Sequence, residues 1–188
     1  MIESFATPEG TANFAKKSLA HKENFRKIQE LTLSNVGIGT YLGNPDLETD
    51  TQQKSAIKQS ILYGVNVIDT AINYRAQKSE RTVGKAISEL IEEGKINRSE
   101  IFVSTKNGYV TNDADIQEDF MTYVMREFGK TGIVKEGDIS AQYNCMTVQF
   151  LEDQLARSKK NLGLDCIDLM YLHNAVEGQP QMQRDEFV

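Results

Sequence analysis

Metal-binding and redox residues are scarce in this chain. It has two cysteines, Cys145 and Cys166, with no CxxC pair, too few for a disulfide framework. Its two histidines, His21 and His173, lie far apart, and no HxxxH or HExxH spacing occurs, so no metal site is expected. No run approaches the roughly 18 apolar residues of a membrane span. The amino terminus, MIESFATPEG, has neither the basic segment nor the apolar stretch of a secretory signal. Basic clusters are missing too. The 21 basic and 27 acidic side chains give a net charge of −6, which argues against nucleic acid as a partner. A cytoplasmic location and a small-molecule partner are the expectations left.

What is present is the pattern of an α/β protein. The 188 residues suit one domain. Residues 7–20 read as a short helix with Thr7 as cap and Pro8 in the first turn. Phe25–Thr40 reads as a small hairpin leading into a first core strand near Asn35–Gly39. A helix opening at Asp50 or Thr51 runs to Tyr63, with Ala56, Ile57, Ile61 and Leu62 as its apolar face and Gly64 as the left-handed residue after it. Val65–Asp69 (VNVID) is the second strand. Ser79–Glu93 is the clearest helix, with Val83, Ala86, Ile87, Leu90 and Ile91 repeating at three and four. Ile101–Lys106 (IFVSTK) is the third strand. Thr147 is placed to cap a helix from Val148 to Asn161 with Leu151 and Leu155 inward, and Cys166–His173 (CIDLMYLH) is the fourth strand. Alternation of strand and helix with these connection lengths is the signature of a parallel sheet. The polar tail from Ala175 reads as the loop after the fourth strand.

Three of the strands stop abruptly on a polar residue, Asp69, Lys106 and His173. A group in that position stands at the carboxyl end of its strand, the rim on which α/β barrels build their active sites. Tyr74, five residues past Asp69, adds a phenol above the same rim. One spacing is irregular. Lys106 follows Asp69 by 37 positions, but His173 follows Lys106 by 67. The excess falls in residues 107–146, which carry their own helix signal from Ile116 to Phe128. An insert of that length after a strand end is expected to overhang the rim as a lid or pocket wall. Asp168 is expected to face a helix or cap a backbone group. Cys166, Tyr63 and Tyr171 are expected to be packing residues.

Four blocks, in order, resemble the aldo-keto reductase family. GIGTY (Gly37–Tyr41) is similar to that family's first strand end. VIDTAINY followed by SERTVGKAI (Ser79–Ile87) resembles its most distinctive segment, FVSTK the strand carrying its lysine, and LDCIDLMYLHN (Leu164–Asn174) the strand carrying its histidine. The resemblance implies a parallel (β/α) barrel of TIM type, a nicotinamide cofactor (NADP, with NAD possible) and reduction of an aldehyde or ketone. Carried across, it makes Tyr74, Lys106, Asp69 and His173 catalytic. Gly39, Thr40, Tyr41 and Asp69 would contact the cofactor, and Tyr41, His173 and Asn174 the substrate. A barrel of this type takes about 250 residues, so this chain is expected to hold only about four βα units behind an N-terminal hairpin. A second chain completing the barrel is then an expected partner.

The chemistry explains the residue types. The cofactor supplies a hydride, and the protein supplies position and an acid. A phenol is a reluctant proton donor at neutral pH, and a nearby ammonium should lower its pKa. A carboxylate would hold and balance the lysine, which makes the three one coupled unit. A second reading of the same residues is a catalytically inactive fragment, or a module that binds nucleotide or a protein partner.

Overall fold

The computed structural model describes residues 1–178. Of the tail expected as a loop, 179–188 lie outside the described residues, and 174–178 form a turn after the last strand. The element order is α1 (Pro8–Lys17), β1 (Phe25–Ile28), β2 (Leu31–Ser34), β3 (Ile38–Gly39), α2 (Leu47–Leu62), β4 (Val67–Asp69), α3 (Lys78–Glu92), β5 (Phe102–Asn107), α4 (Phe120–Val124), α5 (Val148–Leu162) and β6 (Leu169–Leu172). Strands β3, β4, β5 and β6 form a four-stranded parallel sheet in chain order. This is the parallel α/β arrangement of sequential βα units that the sequence led us to expect, consistent with part of a barrel. The strands are shorter than their apolar runs.

The amino ends of the strands are closed off. Thr7 caps α1 by accepting from the Gly10 N–H at 3.0 Å, and Thr7 N–H donates to the Ser99 carbonyl at 3.0 Å. Strands β1 and β2 pair antiparallel, and Asn66, just before β4, accepts from Ser34 N–H at 2.8 Å and donates to Thr32 O at 3.0 Å. Asp168, one residue ahead of β6, caps backbone groups as expected. It accepts from Ala6 N–H at 2.6 Å and Val103 N–H at 2.8 Å, and it forms a buried ion pair with Arg98 at 2.7 Å. The chemistry-bearing residues all stand at the other end.

The main core joins Ile57 and Ile61 of α2, Val83, Ala86, Ile87 and Leu90 of α3, Ile68 of β4, Val103 of β5, and Leu162 and Leu164. The α3 stripe is as predicted. Helix α2 departs from its reading. It begins at Leu47, three or four residues early, because the Asp46 carboxylate accepts from Thr49 N–H at 2.8 Å. Its buried row is only Ile57 and Ile61, and Ala56 and Leu62 are exposed. Beside that apolar row, α2 is tied to the end of α3 by ion pairs, with Lys54 and Lys58 on Glu89 and Lys58 on Glu93.

Helix α5 buries Phe150, Gln154, Ser158 and Leu162 rather than Leu151 and Leu155, and Leu155 is exposed. Gly84 of α3 sets the contact at the end of α5: a Cβ there would sit 2.4 Å from the Leu162 carbonyl oxygen, so the two helices meet backbone to backbone at that point. Thr147 holds the cap position of α5, but its side chain makes no capping bond. Tyr63 and Tyr171 are exposed rather than packed, and Cys166 is half-buried.

The insert forms a second hydrophobic cluster from Val110, Tyr123, Val124, Phe128, Val134 and Cys145, closed against Phe150 of α5. Its helix is shorter than predicted. Asp119 accepts from Met121 and Thr122 N–H and so starts α4 at Phe120, not Ile116, and a wider π-type turn over Met125–Gly129 follows. The two ends of the insert are zipped together by a bridge between Tyr109 and Asn144 and by Cys145 N–H donating to Gly108 O at 2.8 Å.

Candidate active site

The parallel register decides which groups meet at the carboxyl rim. Gly39 lies beside Asp69, Asp69 beside Ser104, and Lys106 beside Tyr171. Alternate residues share a face of the sheet, so Asp69, Ser104 and Lys106 look the same way. Ser104 Oγ donates to Asp69 Oδ1 at 2.9 Å, which turns the other carboxylate oxygen to Lys106. Lys106 Nζ donates to Asp69 Oδ2 at 2.6 Å and to the Thr70 carbonyl at 2.8 Å. That ammonium also lies over the Tyr74 ring, 4.7 Å from its centroid. A cation there is attracted to the ring face, so the contact fixes the side chains relative to each other.

His173 completes the group. Its ring meets Tyr74 edge-on at 5.7 Å and Tyr109 at 4.9 Å between centroids. Nδ1 faces Asn73 Oδ1 at 3.1 Å, and among the described residues Nε2 has no hydrogen-bond partner, which leaves it to meet a ligand. Burial pushes the imidazole below its ordinary pKa of 6.5, and the Lys106 charge adds to this, with Asp69 opposing. His173 is therefore neutral at pH 7.

Asp69, Tyr74, Lys106 and His173 are thus brought together. Tyr41 joins them, its ring 5.0 Å from that of Tyr74, and it is exposed. Gly39 is open, with nothing within 4 Å of where a Cβ would stand. Thr40 is buried, its hydroxyl donates to Thr70 Oγ1 at 2.8 Å, and its carbonyl accepts from Ser79 Oγ, so its polar groups are used inside the fold. Asn174 is exposed, and its amide donates to the Tyr109 hydroxyl at 3.4 Å, beside rather than within the cluster.

Sequence reading missed Asn73, Tyr109, Ser104 and Asn144, whose amide donates to the His173 carbonyl at 3.1 Å. Ser104 was legible in principle, two residues before Lys106 and therefore on its face of the strand. The others depend on loop paths with no periodic signal. Among the described residues, no cluster of three or more His, Cys, Asp or Glu side chains could hold a metal ion.

A parallel α/β sheet with an Asp, Tyr, Lys and His cluster at its carboxyl rim defines a class, and comparison with known proteins gives the family. The model of the aldo/keto reductase family matches residues 35–184, and the chain belongs to that family. It is 28% identical over 151 residues to the NADH-specific methylglyoxal reductase of Escherichia coli (strain K12), an alignment covering 77% of this chain and 39% of that protein. It is also similar to an aldo/keto reductase from Klebsiella pneumoniae whose crystal structure holds NADP and acetate. There the TM-score is 0.48 at 19% identity, over 77% of this chain and 36% of the other. The chain thus spans well under half the length of these relatives.

Proposed function

We propose that this chain carries the catalytic half of a nicotinamide-dependent carbonyl reductase. The supporting observation is the single cluster in which the Lys106 ammonium is bonded to Asp69 and lies over Tyr74, with His173 edge-on to the same ring. Family membership gives the reaction class its prior.

The residues suit the cofactor. The open space at Gly39, next to Asp69 in the ladder, lets a flat ring approach the backbone, and Tyr41 offers an exposed aromatic face beside it. When bound, the cofactor would supply the hydride. Tyr74 gives the proton that the carbonyl oxygen gains. Lys106 stands where it stabilises negative charge left near the phenol, and Asp69 keeps that ammonium in place. His173 is neutral and points Nε2 outward, so it orients the carbonyl oxygen. With Asn73 Oδ1 against Nδ1, the neutral ring carries its proton on Nδ1; for Nε2 to donate to the carbonyl oxygen, the Asn73 amide turns over and presents its N–H to Nδ1. The insert forms a pocket wall through Tyr109, which packs on His173.

The test is oxidation of NADH and of NADPH, side by side, with a panel of aldehydes and ketones including methylglyoxal. Turnover that falls at least 100-fold in Tyr74→Phe, in line with the loss of a general acid, is the expected result. Nucleotide binding without turnover in either protein would support the binding-module reading instead.

A further inference from the structure

Tyr74 is followed by three consecutive residues with left-handed backbone, Arg75 at φ 52°, Ala76 at 48° and Gln77 at 74°. None is glycine. Left-handed backbone is disfavoured for residues with a Cβ, and a run of three persists only where the surroundings impose it. What imposes it here is visible. The Arg75 side chain is 1% exposed. Its Nε donates to Asn44 O at 2.8 Å, Nη1 to Gln53 Oε1 at 2.9 Å, and Nη2 to Asp46 O at 3.3 Å and Asp50 Oδ1 at 2.5 Å. Gln53 passes the constraint on. Its Nε2 donates to Thr40 O at 3.1 Å and to Leu42 O at 2.9 Å. Those two carbonyls flank Tyr41, whose ring stands against Tyr74.

The bonds make a closed circuit from Tyr74 through Arg75 and Gln53 to the backbone on both sides of Tyr41, and back through the ring contact. We propose that Arg75 and Gln53 are positioning residues that hold Tyr41 against Tyr74 and so fix the direction of the phenol at the site. The proposal deepens the reductase reading and rests on it for its catalytic consequence. Tyr41 is 67% exposed, so packing alone does not hold it. The residue types match the task. Only arginine presents enough donors, in a rigid fork, to bond two loop carbonyls, a helix carboxylate and an amide at once. Only a side-chain amide accepts from that fork while donating to two carbonyls.

Gln53→Glu is the discriminating substitution. It keeps the acceptor for Arg75 and places a carboxylate oxygen against the Thr40 and Leu42 carbonyls, which releases Tyr41 while leaving the core untouched. The chain has seven tyrosines, so labelling with 3-fluorotyrosine gives a resolvable fluorine spectrum. Tyr41→Phe and Tyr74→Phe assign the two signals. The expected result is that Gln53→Glu moves or broadens the Tyr41 and Tyr74 signals and leaves that of Tyr63 in place. Arg75→Lys should do the same. In turnover, Gln53→Glu should lower kcat several-fold at nearly unchanged melting temperature, whereas Arg75→Lys, which strips donors from buried acceptors, should lower both. Tyr41 and Tyr74 signals identical to wild type in both variants would overturn the proposal. The fluorine readout needs no turnover. An inert chain whose tyrosines respond defeats the reductase reading and leaves the clamp standing, whereas an active chain with unresponsive tyrosines defeats only the clamp.

Discussion

His173 is anchored by its backbone before its ring does anything. Its N–H donates to Asn107 O at 2.8 Å, and its carbonyl accepts from Asn144. The ring is then left half-buried beside a lysine, and burial followed by the Lys106 charge holds its pKa below 6.5. The consequence for stability has a definite sign. Below pH 6.5 the unfolded chain protonates this histidine while the folded chain still resists. The unfolded state then binds more protons, and stability falls as pH falls. Its contribution is fully present above 6.5 and is lost as pH drops through the folded value. His173→Gln should therefore flatten the dependence of melting temperature on pH in the window just below 6.5. An equal slope in wild type and variant would contradict the burial argument. The same substitution should weaken substrate more than nucleotide, because Nε2 is the free nitrogen.

Helix α3 illustrates how an element is set by a single small residue. In an isolated helix, Gly84→Ala would stabilise by about 1 kcal/mol. Here the added methyl would lie 2.4 Å from the Leu162 carbonyl oxygen and 2.7 Å from its carbon, both backbone atoms that cannot swing aside. The helices would have to separate, at a cost of roughly 1–3 kcal/mol. A lower urea midpoint for Gly84→Ala, with the exposed Lys85→Ala as a near-neutral control, is the expected outcome. A rise would mean that α3 and α5 pack more loosely than described. This contact also shows what sequence can and cannot deliver. The α3 stripe was legible because five aliphatic residues repeat at helical spacing and face one core. The face of α5 was misread because it is chosen by shape, and Gln154 and Ser158 carry no hydrophobic signal. Asp69, Lys106 and His173 were legible because each ends an apolar run. Asn73 and Tyr109 were not, since loops place them, and neither was the Gln53 relay, since the groups it bonds lie in loops.

At the scale of the molecule, strand β6 is the unfinished part. A strand in a buried parallel sheet is covered on both faces, and β5 meets that rule with Val103 and Thr105 fully buried and Ser104 nearly so. In β6 the consecutive residues Tyr171 and Leu172 are 48% and 55% exposed. Consecutive strand residues point to opposite faces, so both faces of β6 are open to water. Among the described residues, β6 also pairs only with β5, which leaves its outer row of N–H and C=O groups unpaired. An edge of that kind templates pairing with another chain. The free chain should therefore elute from a size-exclusion column as a dimer or larger species, increasingly so at higher concentration. Its net charge of −6 opposes that association, and added salt screens the repulsion, so moderate salt should favour the larger species. Leu172→Lys places a charge on the open face of the edge strand and should shift the population toward monomer. A wild-type chain that stays monodisperse and monomeric at high concentration, and melts in one cooperative step, would mean that β6 is shielded without a partner.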